Sequence, residues 1–388
     1  MNKTLGTLIL ASVVLFTPRA PADPLDGYRP EAVAGAVKLR DDGEPAKGRR
    51  KDTKPISPDE TAKNVGKRVT VEFVAKSNGF NGEGEGFSEL GSEKEFENKA
   101  WFALRFSRKA MAELAKNRIT DLGYFVESKV VATGVVNEID FGEKLGKRRF
   151  IYIDGLSQFK ATPTKKPTYT PTKDYKVVKI RGFTVLFHPE VVAQAEEMKK
   201  AIDNLEKDLG VMHDAMPKDK LAKLLKVRIW MEWDEKSGAD FHPSAVWLRE
   251  HGKNPDKSNG IDFLFTKNYA KDFATGNGHH HHVLIHEFSH AHQHFAMGGL
   301  DDQIKIAYTQ AMERKLYDSV KWSDGKVAKG YAATNEKEYF ADLSMIYFAE
   351  GIYYPFTRAE LREHDPVGYK MVQDAWGVRD DGKAKTSR

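Results

Sequence analysis

The stretch Val283-Leu284-Ile285-His286-Glu287-Phe288-Ser289-His290-Ala291-His292 holds an H-E-x-x-H motif entered by three apolar residues. Residues four apart on a helix lie one turn apart on the same face, so His286 and His290 can bind one metal ion together. Glu287, the next residue round the helix, can then act as general base toward a water at that metal. Two imidazoles are too few for a catalytic zinc site, which usually takes three protein ligands and keeps one position open. The metzincin pattern H-E-x-x-H-x-x-G-x-x-H is excluded, because Gln293 and Ala296 stand where it requires Gly and His.

A later helix can supply the missing ligand. In Asn335-Glu336-Lys337-Glu338-Tyr339-Phe340-Ala341-Asp342 the residues Glu338 and Asp342 are four apart and share a face. Glu338 can ligate the metal while Asp342 accepts a hydrogen bond from the far nitrogen of a ligand histidine and fixes its tautomer. Glu336 is the rival ligand, without an acidic partner four residues on. Tyr331 precedes Glu338 by seven residues. A tyrosine held near the metal can donate its hydroxyl to the oxyanion that forms when water attacks a peptide carbonyl.

His286-Glu287-Phe288-Ser289-His290, then Tyr331, then Glu338-Tyr339-Phe340-Ala341-Asp342 resembles the catalytic domain of the anthrax lethal factor family. That family takes in the secreted Pro-Pro endopeptidases and consists of zinc metallopeptidases of the gluzincin type. The resemblance implies one zinc ion on His286, His290 and Glu338, with Glu287 as base and Tyr331 as oxyanion partner. It covers roughly residues 225–360. Family members usually have glycine where this chain has Ser289, and nothing upstream of about residue 170 resembles lethal factor.

The elements that must position these residues belong to a chain of 388 residues, long enough for two domains. Formal charge is +5 from 61 basic and 56 acidic residues, with no dominant basic block, so nucleic acid is not expected as a partner. Cysteine is absent, which removes disulfides, thiolate nucleophiles and Cys-ligated zinc. Met1-Asn2-Lys3, the apolar run Leu5–Phe16 and Ala20-Pro21-Ala22 read as a secretory signal peptide, 1–22. The expectation is an exported protein without a membrane span.

Residues 23–59, rich in Pro, Gly and charge, read as a flexible spacer, with a propeptide as the alternative. Between 60 and 163, strand-like runs at 68–75, 100–106, 123–136 and 149–153 surround a Ser107-capped helix to Lys116, which suggests a small OB-like β-barrel. Trp101, Phe102 and Phe106 read as barrel core rather than as a stacking platform. The glycine-rich stretch Gly79–Gly91 reads as a loop. Such a domain is open to a glycan or protein contact. The Pro/Thr-rich stretch from Ala161 to Thr172 marks the boundary, with a linker placed at 164–174.

Residues 175–378 should then form a zincin-like metallopeptidase domain in an α+β chain, followed by a polar tail, 379–388. Hairpin strands at 175–180 and 183–187, an amphipathic helix at 189–209 and strands at 226–233 and 260–266 lead to the H-E-x-x-H helix. By the family resemblance, 260–266 would be the sheet edge along which substrate pairs. Met312–Val320 reads as helical, and Phe340, Leu343, Ile346 and Tyr347 as the apolar face of the Glu338 helix. His242 reads as a capping or surface residue, and His279–His282 as a solvated loop. His292 and His294 are not needed as ligands.

The expected function is an exported zinc endopeptidase acting on peptide or protein substrate. The alternative is a non-catalytic exported binding protein with a structural or degenerate metal site. Glu287 argues against that alternative, because a structural site needs no base. A third reading, zinc capture by the histidine tract, predicts more than one bound zinc.

Overall fold

The computed structural model describes residues 54–81, 87–165, 167–234, 238–275, 282–297 and 301–378. The expected signal peptide, most of the spacer, His279–His281 and the polar tail lie outside the described residues. Helix and strand are mixed throughout, an α+β chain. Residues 54–173 with 244–256 make one compact unit, and 174–243 with 257–378 make the other.

The first unit carries β1 (Arg68–Val74), β2 (Ser77–Asn81), β3 (Phe87–Gly91), β4 (Phe102–Phe106), α1 (Arg108–Lys116), β5 (Ser128–Asp140), α2 (Gly142–Leu145), β6 (Lys147–Ile153) and β7 (Phe159–Pro163). They pair in the order β1-β5-β6-β4-β3-β2, with β7 beside β5. Only β4 and β6 run parallel. Along β5 the buried Val130, Ala132 and Val136 alternate with more exposed neighbours, the period-2 pattern of a strand with one face in a core. That core joins Val71, Leu90, Leu104, Leu114, Ile151 and Phe159.

Phe102 and Phe106 lie in it as expected, and Trp101 is buried in a separate cluster with Phe150. Gly79–Gly91 is not simply a loop: its two ends are strand, in β2 and β3, paired with each other. Residues 161–163 of the Pro/Thr stretch likewise belong to β7. Ile56, in the stretch expected as spacer, exchanges backbone hydrogen bonds with Thr70 and Glu72 of β1.

The second unit begins with β8 (Lys176–Ile180) and β9 (Phe183–Phe187), then α3 (Pro189–Ala193), α4 (Ala195–Ala215), α5 (Lys218–Leu224), β10 (Arg228–Met231) and β11 (Ala239–His242). The short helix α6 (Ala245–Glu250) returns to the first unit. Then come β12 (Gly260–Phe263), α7 (Thr266–Thr275), α8 (Val283–Ala296), α9 (Asp301–Glu313), α10 (Glu336–Phe348), α11 (Arg358–His364) and α12 (Pro366–Trp376). The expected single helix at 189–209 is broken at Gln194, and the helical structure expected at 312–320 ends at Glu313.

The sheet order is β11-β12-β10-β9-β8. β9, β10 and β12 run parallel, while β8 and β11 are antiparallel to their neighbours. Residues 260–263 are therefore interior, hydrogen-bonded on both sides, and not the edge the resemblance suggested. The sheet's edge strands are β8 and β11, the latter a four-residue strand that sequence reading missed. Val185, Phe187, Ile229, Met231, Ile261 and Phe263 project from one sheet face into a large core shared with the helices. Among the described residues no helix is long and apolar enough to cross a membrane.

Candidate metal centre

Helix α8 enters the core on Val283, Leu284 and Ile285, and the residues from Leu284 to His292 are all buried. Its start is anchored by His282, whose backbone takes the left-handed conformation (φ 63°) and whose Nδ1 lies 3.0 Å from Asp208 Oδ1. Asp208, fully buried on α4, also accepts the Tyr269 hydroxyl at 2.9 Å. Ser289 fits in the helix interior by returning its hydroxyl to the Ile285 carbonyl at 2.7 Å.

Helix α10 delivers the acidic residues. Asn335 caps it, its Oδ1 accepting from the amides of Lys337 (2.9 Å) and Glu338 (3.0 Å). The cap holds Glu338 in the first turn, where the helix dipole favours a carboxylate. The expected apolar face of Phe340, Leu343, Ile346 and Tyr347 is buried, but so is every residue from Glu338 to Tyr347. α8, α9, α11 and α12 all pack on α10, so it is a core helix and not an amphipathic one.

His286, His290 and Glu338 come together as one buried group that could hold a metal ion, their nearest ligand atoms all within 4.8 Å of one another. His286 Nε2 lies 3.0 Å from Glu338 Oε2 and 3.2 Å from His290 Nε2, and His290 Nε2 lies 3.4 Å from Glu338 Oε2. Asp342 Oδ1 stands 2.7 Å from His286 Nδ1, the orientation that leaves Nε2 free to ligate. The rival Glu336 is half-exposed and outside the group.

The electrostatics favour a cation here. Burial pushes His286 down, but its hydrogen bonds to Asp342 and Glu338 outweigh this and hold it well above the ordinary histidine range. Burial likewise opposes ionisation of Glu338, yet the hydrogen bonds to His286 and His290 hold its carboxyl far below the usual range. His290 is pushed down by burial. A proton on His286 thus offsets Glu338 and Asp342, and a metal cation would take over that part. The donor set fits one.

Glu287 is fully buried, and neither carboxylate oxygen has a partner of ordinary hydrogen-bond geometry. Burial raises its carboxyl well above the usual range. His286 and the Phe241 backbone oppose that rise, while Asp240 and Glu338 add to it. Asp240 and Phe241 belong to β11, so Glu287 faces the edge strand. A buried carboxylate without a partner is costly unless it has a use. Tyr331 begins a 3-10 turn, Tyr331–Ala333, and its ring centre is 6.0 Å from that of His286.

No protein-family model matches the chain, and no curated protein matches it.

The other histidines separate by environment. His242 is buried on β11, its Nε2 3.5 Å from Asp240 Oδ2, and is neither a cap nor a surface residue. His294 is exposed, with its ring 5.8 Å from that of Phe241. His292 is stacked on Trp376 (3.8 Å between centres, 11° between planes), and its Nε2 donates to the Ala375 carbonyl at 3.0 Å. Burial pushes it down to about 3, so the ring is neutral. It pins α12 to α8. His292→Ala should cost about 3 kcal/mol, through the cavity and the orphaned carbonyl, with metal stoichiometry unchanged. Thermal unfolding beside metal analysis checks this. Lost metal with unchanged stability would make His292 a ligand.

Proposed function

We propose that the chain is an exported zinc-dependent endopeptidase of the gluzincin type. The observation that carries the reading is the convergence of His286 Nε2, His290 Nε2 and Glu338 beside the buried carboxyl of Glu287, which has no partner of ordinary hydrogen-bond geometry. A His-His-carboxylate set suits zinc and leaves a fourth position open. Bound there, zinc would polarise the scissile carbonyl and lower the pKa of a water molecule in the open position.

The chain's own residues do the rest. Asp342 holds the His286 ring through Nδ1, keeping its orientation during turnover. Glu287 takes a proton from the attacking water as its oxygen bonds to the carbonyl carbon. It passes that proton to the amine nitrogen as the C–N bond breaks. Its raised carboxyl suits a group that must accept and then return a proton. Tyr331 donates its hydroxyl to the carbonyl oxygen as charge builds there. An extended peptide would lie along the outer edge of β11, beside Asp240 and Phe241.

Support for an OB-like first unit comes from its connections. β1 and β2 are separated by only Ala75 and Lys76, so one bent stretch of chain pairs with β5 through its first half and with β3 through its second. The two ends of the strand order are therefore covalently adjacent, as closure into a barrel requires. α1 lies between β4 and β5 in the chain, and β4 pairs with β6 in parallel.

The testing experiment is cleavage of a diverse peptide library, read by mass spectrometry, for the full chain beside Glu287→Ala. Cleavage by the first alone supports the reading. Equal cleavage by both overturns the base, and cleavage by neither favours the binding-protein alternative. Tyr331→Phe should lower kcat on the order of 10²-fold with metal content unchanged, as loss of one oxyanion donor does. An unchanged kcat would leave Tyr331 a packing partner of His286.

A further inference from the structure

We infer that Tyr353 is a positioning residue that ties the metal ligand His286 to the turn carrying Tyr331. The inference rests on the metallopeptidase reading and deepens it. Tyr353 is 1% exposed. Its hydroxyl donates to Asp342 Oδ2 and accepts from the Ala332 amide at 2.8 Å. Asp342 offers its other oxygen to His286 Nδ1 at 2.7 Å. Ala332 directly follows Tyr331 in the turn. A single phenolic oxygen therefore joins, in one path, the backbone that carries the proposed oxyanion donor and the carboxylate that orients a metal ligand.

The Tyr353 ring is itself immobilised. A Cβ at Gly330, the residue before Tyr331, would lie 2.8 Å from Tyr353 Cε2 and 3.2 Å from Val320 Cγ2. The ring fits beneath the turn only because residue 330 has no side chain. Trp322 closes another side, its ring centre 5.0 Å away. Burial, with the Asp342 charge beside it, keeps the hydroxyl protonated and able to donate. Without that hydroxyl, Asp342 and the Ala332 amide each lose a buried partner. The His286 ring and the Tyr331 turn then relax independently. Outer partners of metal ligands typically matter 10–100-fold in affinity, and a misplacement of about 1 Å costs on the order of 10²-fold in rate.

The test compares the full chain with Tyr353→Phe and Gly330→Ala. Zinc affinity is read by competition with a chelator, and kcat and KM on a cleaved library peptide. Tyr353→Phe should bind zinc about 10–100-fold more weakly and lower kcat on the order of 10²-fold with KM little changed. Added to Tyr331→Phe, it should lower kcat by much less than it does alone, because part of its effect passes through Tyr331. Gly330→Ala keeps the hydroxyl but displaces the ring, and should weaken zinc binding in the same direction. It supplies the readout if Tyr353→Phe does not fold.

Lower thermal stability with unchanged zinc affinity and kcat would overturn the inference and leave Tyr353 an ordinary core residue. Should the wild-type chain bind zinc but cleave nothing, the peptidase reading fails while chelator competition still decides whether Tyr353 holds His286.

Discussion

Glu287→Gln should lower turnover on the order of 10²–10⁴-fold while metal content and fold stay as they are. The substitution keeps shape and volume and removes only the ability to take up a proton. Glu287 is a sensitive place to make it, because both carboxylate oxygens are buried without a partner of ordinary geometry. A buried carboxylate in that state weakens the fold, so the amide should leave stability unchanged or raise it. Three measurements check this: steady-state cleavage of a library-derived peptide, metal content of the purified protein, and the unfolding midpoint. Lost turnover together with lost metal would make Glu287 part of the metal's support. Retained turnover would place the base elsewhere.

Glu338→Ala should release the metal. The loss should exceed the 10–100-fold that removal of an outer partner brings, because Glu338 contacts both imidazoles, at 3.0 and 3.4 Å. Without it, the two imidazoles meet at 3.2 Å with no carboxylate touching both to hold a cation between them. Glu336→Ala is the matched control: two residues away on α10, half-exposed and outside the cluster, it should change neither metal content nor turnover. Metal analysis after dialysis reads both variants. Full metal retention in Glu338→Ala, or loss in Glu336→Ala, would reassign the third ligand.

These residues could be read from the sequence because their relations are local. His286 with His290, and Glu338 with Asp342, are four residues apart inside single helices, and helix geometry alone places each pair on one face. The Ser107 cap is legible for the same reason, since a cap acts within three residues. Other features had no such local sign. β11 is four residues long, too short for alternation to be seen, and is recognised as an edge strand only through its pairing with β12. Gly79–Gly91 carries the composition of a loop, yet its ends become strands once β4 gives β3 a partner.

His292 was set aside as a ligand on the sequence alone, but its stacking on Trp376 depends on α12 returning to α8. Tyr353 is invisible as a functional candidate until Asp342, eleven residues earlier, and the 331–333 turn are packed around it.

By itself, then, the sequence determined which side chains could make up the site: two imidazoles and two carboxyl groups at spacings that a helix turns into a common face. It determined these because hydrogen-bonded helices have a fixed period. Only the tertiary structure decided that α8 and α10 lie side by side, that Asp342 addresses His286, that Glu287 faces β11, and that Tyr353 joins the site to the Tyr331 turn. Those relations come from packing a buried helix against its neighbours, and no local pattern of residues encodes which side chains then meet.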